Sequence, residues 1–232
     1  MGKSKDLASG AAYQDQTESD TRYVNTSGDS MTGELLVRRA RSNTAGDAAL
    51  TIHPSDTTVS YGMRIDQNTN SLNFDQVNSG VTRMSIDSAG RVTKPSQPSF
   101  FAYMSQSNPT ITVNPTKIPY SATSWNVGSH FDTSNNRFVA PIAGKYCFQV
   151  NHNVYGLSDD QYFRTRAYVN GSSHQILGYM RARGGGDHTS NDSFLLNMSA
   201  NDYVEIYTSS NDGSYGMSAA ADWNSFSGFL IG

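Results

Sequence analysis

Few residues in this chain have types and spacing that could do chemistry. They are the adjacent carboxylates Asp159 and Asp160, an Asp187-His188 pair that follows Gly184, Gly185 and Gly186, the histidines His53, His130, His152 and His174, and one cysteine, Cys147. A glycosidase needs two carboxyl groups from different elements about 5–10 Å apart, and sequence neighbours on an extended chain point apart. Asp159-Asp160 therefore reads as a solvated loop. The histidines show no HxxxH or HExxH spacing, which leaves no metalloprotease signature. His152 and His174 read as strand-surface or strand-end residues. The three glycines lack the Lys-Ser/Thr that completes a phosphate-binding loop. A single cysteine can close no disulfide within the chain and matches no metal spacing, so Cys147 reads as a small apolar residue buried in a strand. No catalytic residue is assigned, and the expectation is a protein that is not an enzyme.

Recognition is the chemistry that remains. Segments 154–161, 183–191 and 209–224 are rich in Gly, Ser, Asn and Asp and contain rings, a mixture in which an aromatic stacks on a sugar or peptide while small polar residues hydrogen-bond. The residues expected to meet a receptor are Tyr155, Asp159, Asp160, Arg183, Asp187, His188, Tyr215 and Trp223. Tyr215, flanked by Gly213, Ser214 and Gly216, reads as an exposed ring. Trp223 reads either as exposed or as a core residue just before the last strand.

The composition bounds what can hold these residues in place. A formal charge of -3 argues against a nucleic-acid partner. The basic cluster Arg38, Arg39 and Arg41 reads as solvated strand positions. No apolar run reaches the length of a membrane span, and the polar start MGKSKDLASG has no apolar signal core. Membrane insertion is not expected. Apolar residues make up 36%, low for a monomer that must offset chain entropy with its own core, so burial shared between copies is expected.

Tyr13, Tyr23, Tyr61 and Phe74 are the aromatics before Phe100; the others all follow it. Between residues 35 and 92, short strand-like runs at 35–38, 48–52, 61–65, 71–74 and 82–86 alternate with Gly, Asn, Asp or Pro clusters, the pattern of an all-β segment. No such run is stable alone; three copies about an axis would solve that. Lys94-Pro95-Ser96-Gln97-Pro98 is a linker, because its prolines remove ladder donors. Beyond it, period-2 alternation predicts strands near 100–105, 117–120, 137–140, 144–155, 162–170, 173–183, 193–198, 203–209 and 225–231. That number in one domain predicts a jelly-roll sandwich. In the longest strand Tyr146, Phe148 and Val150 share the core face, while Cys147, Gln149 and Asn151 share the other.

Two resemblances extend this reading. The spacing Asn126, Phe131, Phe138, Gly144, Tyr146, Phe148, the closing Phe226-Ser227-Gly228-Phe229-Leu230, and the pair Ser193–Met198 with Asn201–Val204 resemble the globular head of complement C1q and its relatives. Those heads are trimeric jelly rolls, as in the tumour necrosis factor family. Tyr120, Val150 and Asn201 depart from that pattern. Tyr23-Val24-Asn25-Thr26-Ser27-Gly28-Asp29-Ser30-Met31-Thr32-Gly33 resembles the shaft modules of tailed-phage fibres. Together they imply an all-β homotrimer: an attachment segment at residues 1–30, a short β-rich shaft at 31–94, and a C1q-like ten-stranded jelly-roll tip at 99–232. The implied function is a virion fibre protein, made in the host cytoplasm, that docks on a tail, baseplate or other fibre protein through 1–30. Its tip binds a host cell-surface glycan or protein by avidity; the alternative is a structural or decoration fibre of head, collar or baseplate with no receptor. No cofactor is read from the residues themselves. The C1q resemblance adds calcium or another metal ion at the trimer apex, with Asp187 and His188 from three copies as its ligands, against the plain reading of a polar loop.

Overall fold

The computed structural model describes the backbone of residues 48–52 and residues 61–105, 113–184, 186–212, 215–220 and 223–232. The attachment segment, the Tyr23–Gly33 phrase, the Arg38, Arg39 and Arg41 cluster, the run at 35–38, His53, Gly185, Gly213 and Ser214 lie outside the described residues.

The first described strands, β1 (Ala48–Ile52), β2 (Tyr61–Asp66), β3 (Ser71–Gln76), β4 (Val81–Ile86) and β5 (Val92–Thr93), form an antiparallel meander in chain order. Two of its turns are made by carboxylates: Asp66 Oδ1 accepts the amides of Asn68 and Thr69 at 2.9 and 3.1 Å, and Asp87 Oδ1 those of Ala89 and Arg91 at 2.9 Å. The register aligns Met63, Phe74 and Met84 in one cross-strand row and Ile65, Leu72 and Ile86 in the next. These apolar rows face one side. On the other, Arg64 bonds Asp75 and Asp66, Thr82 bonds Asp75, and Ser85 bonds Asn73. The polar face is thus closed by its own hydrogen bonds. The apolar face is open, with Tyr61, Met63 and Ile65 exposed by 53%, 42% and 46%.

After the linker come β6 (Ser99–Tyr103), β7 (Thr116–Lys117), β8 (Ala122–Val127), β9 (Phe131–Asp132), β10 (Arg137–Val139), β11 (Gly144–Tyr155), β12 (Tyr162–Val169), β13 (Ser172–Arg181), β14 (Asp187–Met198), β15 (Tyr203–Ser210), β16 (Gly216–Met217) and β17 (Ser225–Leu230). They form two antiparallel sheets, one in the order β13-β12-β15-β10-β9 with β7 added to β15, the other β14-β11-β17-β6-β8 with β16 added to β11. Called here the β12 sheet and the β11 sheet, they face each other as a jelly-roll sandwich. The two main paths hold five strands each, the ten that the resemblance implies; the alternation alone did not give β8 or β9, and its run at 117–120 contains β7, off the main path.

The aromatic spacing has a direct physical basis. Asn126 Nδ2 donates to the Phe131 carbonyl at 2.9 Å while Asn126 Oδ1 accepts the Phe131 amide at 3.0 Å, so the five-residue interval is that of a side chain closing its own loop. Phe131 and Phe138 then stack on Phe100 at 4.9 and 5.0 Å, with Phe226 edge-on to it at 5.0 Å. Phe148 sits 5.5 Å from Phe138 and 5.2 Å from Phe194. Each ring fully removed from water contributes about 1.5–3 kcal/mol. Gly228 is required by this cluster: a Cβ there would lie 2.5 Å from Phe148 Cδ1 and 3.0 Å from Phe100 Cε1.

Four expectations need correction. Strand β8 escaped the alternation because it is an edge strand whose inner and outer residues are not cleanly segregated, and a bulge interrupts its pairing with β6. Phe229 belongs to the closing motif but turns outward and is 47% exposed, whereas Phe226 and the backbone of Gly228 lie in the core and Leu230 packs against it. Cys147 is half-buried rather than buried, since strand parity places it on the outside of the β11 sheet. His152 is no surface residue: it follows Tyr146, Phe148 and Val150 on the inward face and is fully buried.

Candidate functional site

The two ends of the sandwich are distinguished by the chain itself. Leu230 donates its amide to the Pro98 carbonyl, Lys145 to Gly232 and Ile231 to Lys145, at 2.8–3.0 Å. Entry, exit and the start of β11 therefore share one end. Gly144 is needed there for closeness rather than for an unusual backbone angle, because a Cβ would fall 2.8 Å from Leu230 Cδ1. β11 runs from this base to Tyr155, about 37 Å away at the rise of an antiparallel strand.

At the far end the described residues of segments 156–161, 182–186 and 211–224 are bound to one another. Asp159 Oδ1 accepts the Gly184 amide at 2.7 Å, Asp212 Oδ2 the Ser158 amide at 2.7 Å, and Asn211 Oδ1 the Tyr162 amide at 2.7 Å. Arg181 Nη1 donates to Asp160 Oδ1 at 3.0 Å, and Arg183 lies 4.0 Å from the same oxygen. The third loop is braced from inside by the fully buried Asn224, whose amide receives the Asn153 N–H at 2.9 Å and donates to the carbonyls of Asn153 and Ser218 at 3.1 and 2.8 Å. The distal surface is preformed, held by carboxylate and amide side chains on backbone donors.

The expected recognition residues divide on this surface. Asp159, Asp160 and Arg183 are brought together and exposed. Tyr155 is half-buried, its ring lying where a Cβ on Gly216 would be. Trp223 is 41% exposed, so of its two readings the exposed one holds. Tyr215 is buried, 4% exposed, with its hydroxyl 2.7 Å from Thr208 Oγ1. The expectation of an exposed ring there fails because the short bridge β16 sits on β11 and turns Tyr215 and Met217 into the interior. Burial pushes the Tyr215 phenol up, only partly countered by the Thr208 bond.

Asp187 and His188 do not lie in a loop, since β14 begins at Asp187, which pairs with Tyr155 as His188 pairs with Val154. Successive strand residues point to opposite faces: Asp187 is exposed, whereas His188 is half-buried with its Nε2 enclosed and without a hydrogen-bond partner. Within one copy the two side chains therefore diverge. Among the described residues no group of three His, Cys, Asp or Glu is arranged to hold one.

Farther inside, His152 Nδ1 lies 2.5 Å from Thr165 Oγ1 and its ring is edge-on to Phe163 at 5.1 Å. Its Nε2 is enclosed without a partner, and burial holds the imidazole down at about 3.

The sequence reading passed over both outer faces of the sandwich. On the β11 sheet, Cys147 stands between Leu195 and Phe229, and Phe101 stands beside Trp125, with Leu195 66% and Trp125 50% exposed. This apolar stripe gives way distally to a polar depression of about 390 Å³ that includes Gln149, Asn191, Ser193, Ser225 and Ser227. On the β12 sheet, Tyr162, Arg164, Arg166 and Tyr168 of β12 and Tyr203 and Tyr207 of β15 recur at every second position. The signal was present as Tyr162-x-Arg164-x-Arg166-x-Tyr168 and Tyr203-x-Glu205-x-Tyr207, a period-2 pattern with no apolar residue on its outer half.

The family model described as the C1q domain matches residues 99–231. An uncharacterized Bacillus subtilis protein, YqcC, is 32% identical over 112 residues, 44% of this chain and 29% of that protein. The phage-like element PBSX protein XkdV, also of Bacillus subtilis, is 34% identical over 86 residues, 33% of this chain and 12% of its own length. The chain thus spans less than a third of either relative. Among solved structures, the globular domain of zebrafish complement 1qA is 15% identical with a TM-score of 0.44, covering 59% of this chain and 98% of that one. Eiger TNF of S. frugiperda is 7% identical with a TM-score of 0.47, covering 59% of this chain and 93% of that one.

Proposed function

We propose, for a chain that belongs to the C1q domain family through residues 99–231, the role of a homotrimeric fibre protein of a tailed bacteriophage whose tip adsorbs to a host surface receptor. The observation that carries the assembly is that two separate sheets each turn an apolar face to water. Tyr61, Met63 and Ile65 are exposed on the meander, and Leu195, Phe229 and Trp125 on the sandwich. Contiguous apolar patches of this kind are surfaces for association, and the shortage of apolar residues in the chain is relieved when copies share them. The similarity to a protein of a phage-like element supports placement in a virion.

The distal loops, fixed by Asp159, Asp212 and Asn224, supply a rigid surface at the end remote from the linker. A trimer presents it three times, which converts weak single contacts into firm adsorption without catalysis. Light scattering on the full chain is expected to return a trimer, and Leu195→Asp to dissociate the tips. A monomer of native fold removes the reading. Purified trimer is expected to coat bacterial cells and block phage attachment; absence of competition at saturating trimer would favour a structural fibre without a receptor of its own.

A further inference from the structure

Resting on the reading of a host-binding tip, we propose that the outer face of the β12 sheet binds an acidic polysaccharide, with uronate carboxylates on Arg164 and Arg166 and sugar rings on the neighbouring tyrosines. Parity sends Tyr162, Arg164, Arg166 and Tyr168 to the same side of β12. The register sets Arg166 opposite Tyr207, which in turn faces Lys117, and Arg164 opposite Tyr179. Arg164 Cζ lies 4.5 Å from the Tyr162 ring centre and 5.4 Å from that of Tyr179, two rings stacked on each other at 4.9 Å. Tyr168 and Tyr207 lie 4.1 Å apart, and Arg137 sits 4.6 Å from the Tyr203 ring.

The charges on this face are not internally balanced. Glu205 is bound by Lys117 at 2.6 Å, and Asp160 at the rim by Arg181. Among the described residues no carboxylate pairs with Arg164 or Arg166. Both have an enclosed Nε without a hydrogen-bond partner, and Arg166 Nη1 reaches only Ser173 Oγ, at 3.3 Å. The rings beside the Arg164 guanidinium also shield it from water and restrict its fork. A planar carboxylate is the complement of that fork, and a saccharide face is the complement of an exposed tyrosine ring. An acidic polysaccharide offers both in one repeat.

The overall charge of -3 disfavours the denser polyanion, nucleic acid, with its charge about every 1.7 Å of helix. The β12 face is also opposite the apolar stripe. It stays free when copies associate through the β11 sheet.

The test is binding of the full-length trimer to polygalacturonate at low ionic strength, with dextran and single-stranded DNA as comparison ligands. Polygalacturonate is expected to bind, more weakly as salt rises, and dextran not to bind. Arg164→Gln with Arg166→Gln is expected to weaken binding about 100-fold, and Arg166→Gln alone about tenfold, with the unfolding temperature and trimer unchanged. Binding no stronger than to dextran, binding indifferent to the arginines, or tighter binding of DNA would overturn the inference. Adsorption to bacterial cells without polygalacturonate binding overturns this inference and leaves the receptor reading standing. Arginine-dependent polygalacturonate binding without adsorption overturns the receptor reading alone.

Discussion

Acid should expose the buried imidazole of His152. In the folded chain its pKa is depressed to about 3, because the ring is enclosed and Nε2 has no partner for an added proton; unfolded, it returns to about 6.5. Between those values the unfolded state binds a proton that the folded state refuses, so stability falls as pH falls, by about 1.4 kcal/mol per unit. By about pH 5 the loss is about 2 kcal/mol. The carboxylates of Asp66, Asp87, Asp132 and Asp202 are held below their usual range by hydrogen bonds, and their loss of stability begins only below about pH 4. His130, lowered by burial, adds a contribution of the same sign as His152.

His152→Gln retains a group able to bond Thr165 and removes the titration. The assay is urea unfolding followed by far-ultraviolet circular dichroism at fixed protein concentration, from about pH 7 to pH 5. The wild-type and variant stabilities should converge by about 2 kcal/mol as the pH falls through that window. Parallel curves would refute the argument, showing that the ring is hydrated or partnered in solution.

Other substitutions test the packing. Tyr120 is fully buried with an unpartnered hydroxyl, so Tyr120→Phe should raise stability by about 1 kcal/mol in thermal unfolding; a lowered melting temperature would mean that the hydroxyl is satisfied. Asn224→Ala removes the brace on the 211–224 loop and leaves Asn153 N–H and two carbonyls without their present partner. It should cost about 2–4 kcal/mol and speed amide exchange at Asn153, and unchanged exchange would show that the loop holds itself. Gly228→Ala forces a methyl into Phe148 and Phe100 and should cost about 1–3 kcal/mol, whereas Gly232→Ala, with nothing within 4 Å, should be neutral. Equal melting temperatures for those two variants would dispose of the close-approach argument.

The core was legible in the sequence because burial there follows local parity. Tyr146, Phe148 and Val150 are at 0%, 0% and 2% exposure, as alternation along one long strand requires. The surface was less legible, because exposure at a loop is decided by what crosses over it. Tyr215 sits among small residues and still faces inward, and the Asp187-His188 pair was displaced from a loop into β14 by a ladder with residues more than 30 positions away.

The sequence by itself determined the long strands, the aromatic core and the kinship of residues 99–231, since these depend on residue type, parity and short-range spacing. The tertiary structure alone decided which faces meet water. Leu195 joins Phe229 across Cys147, and Arg166 joins Tyr207, only once strands distant in the chain lie in register. Side-chain rows across a sheet are set by long-range hydrogen bonding between strands, and no local pattern encodes that register.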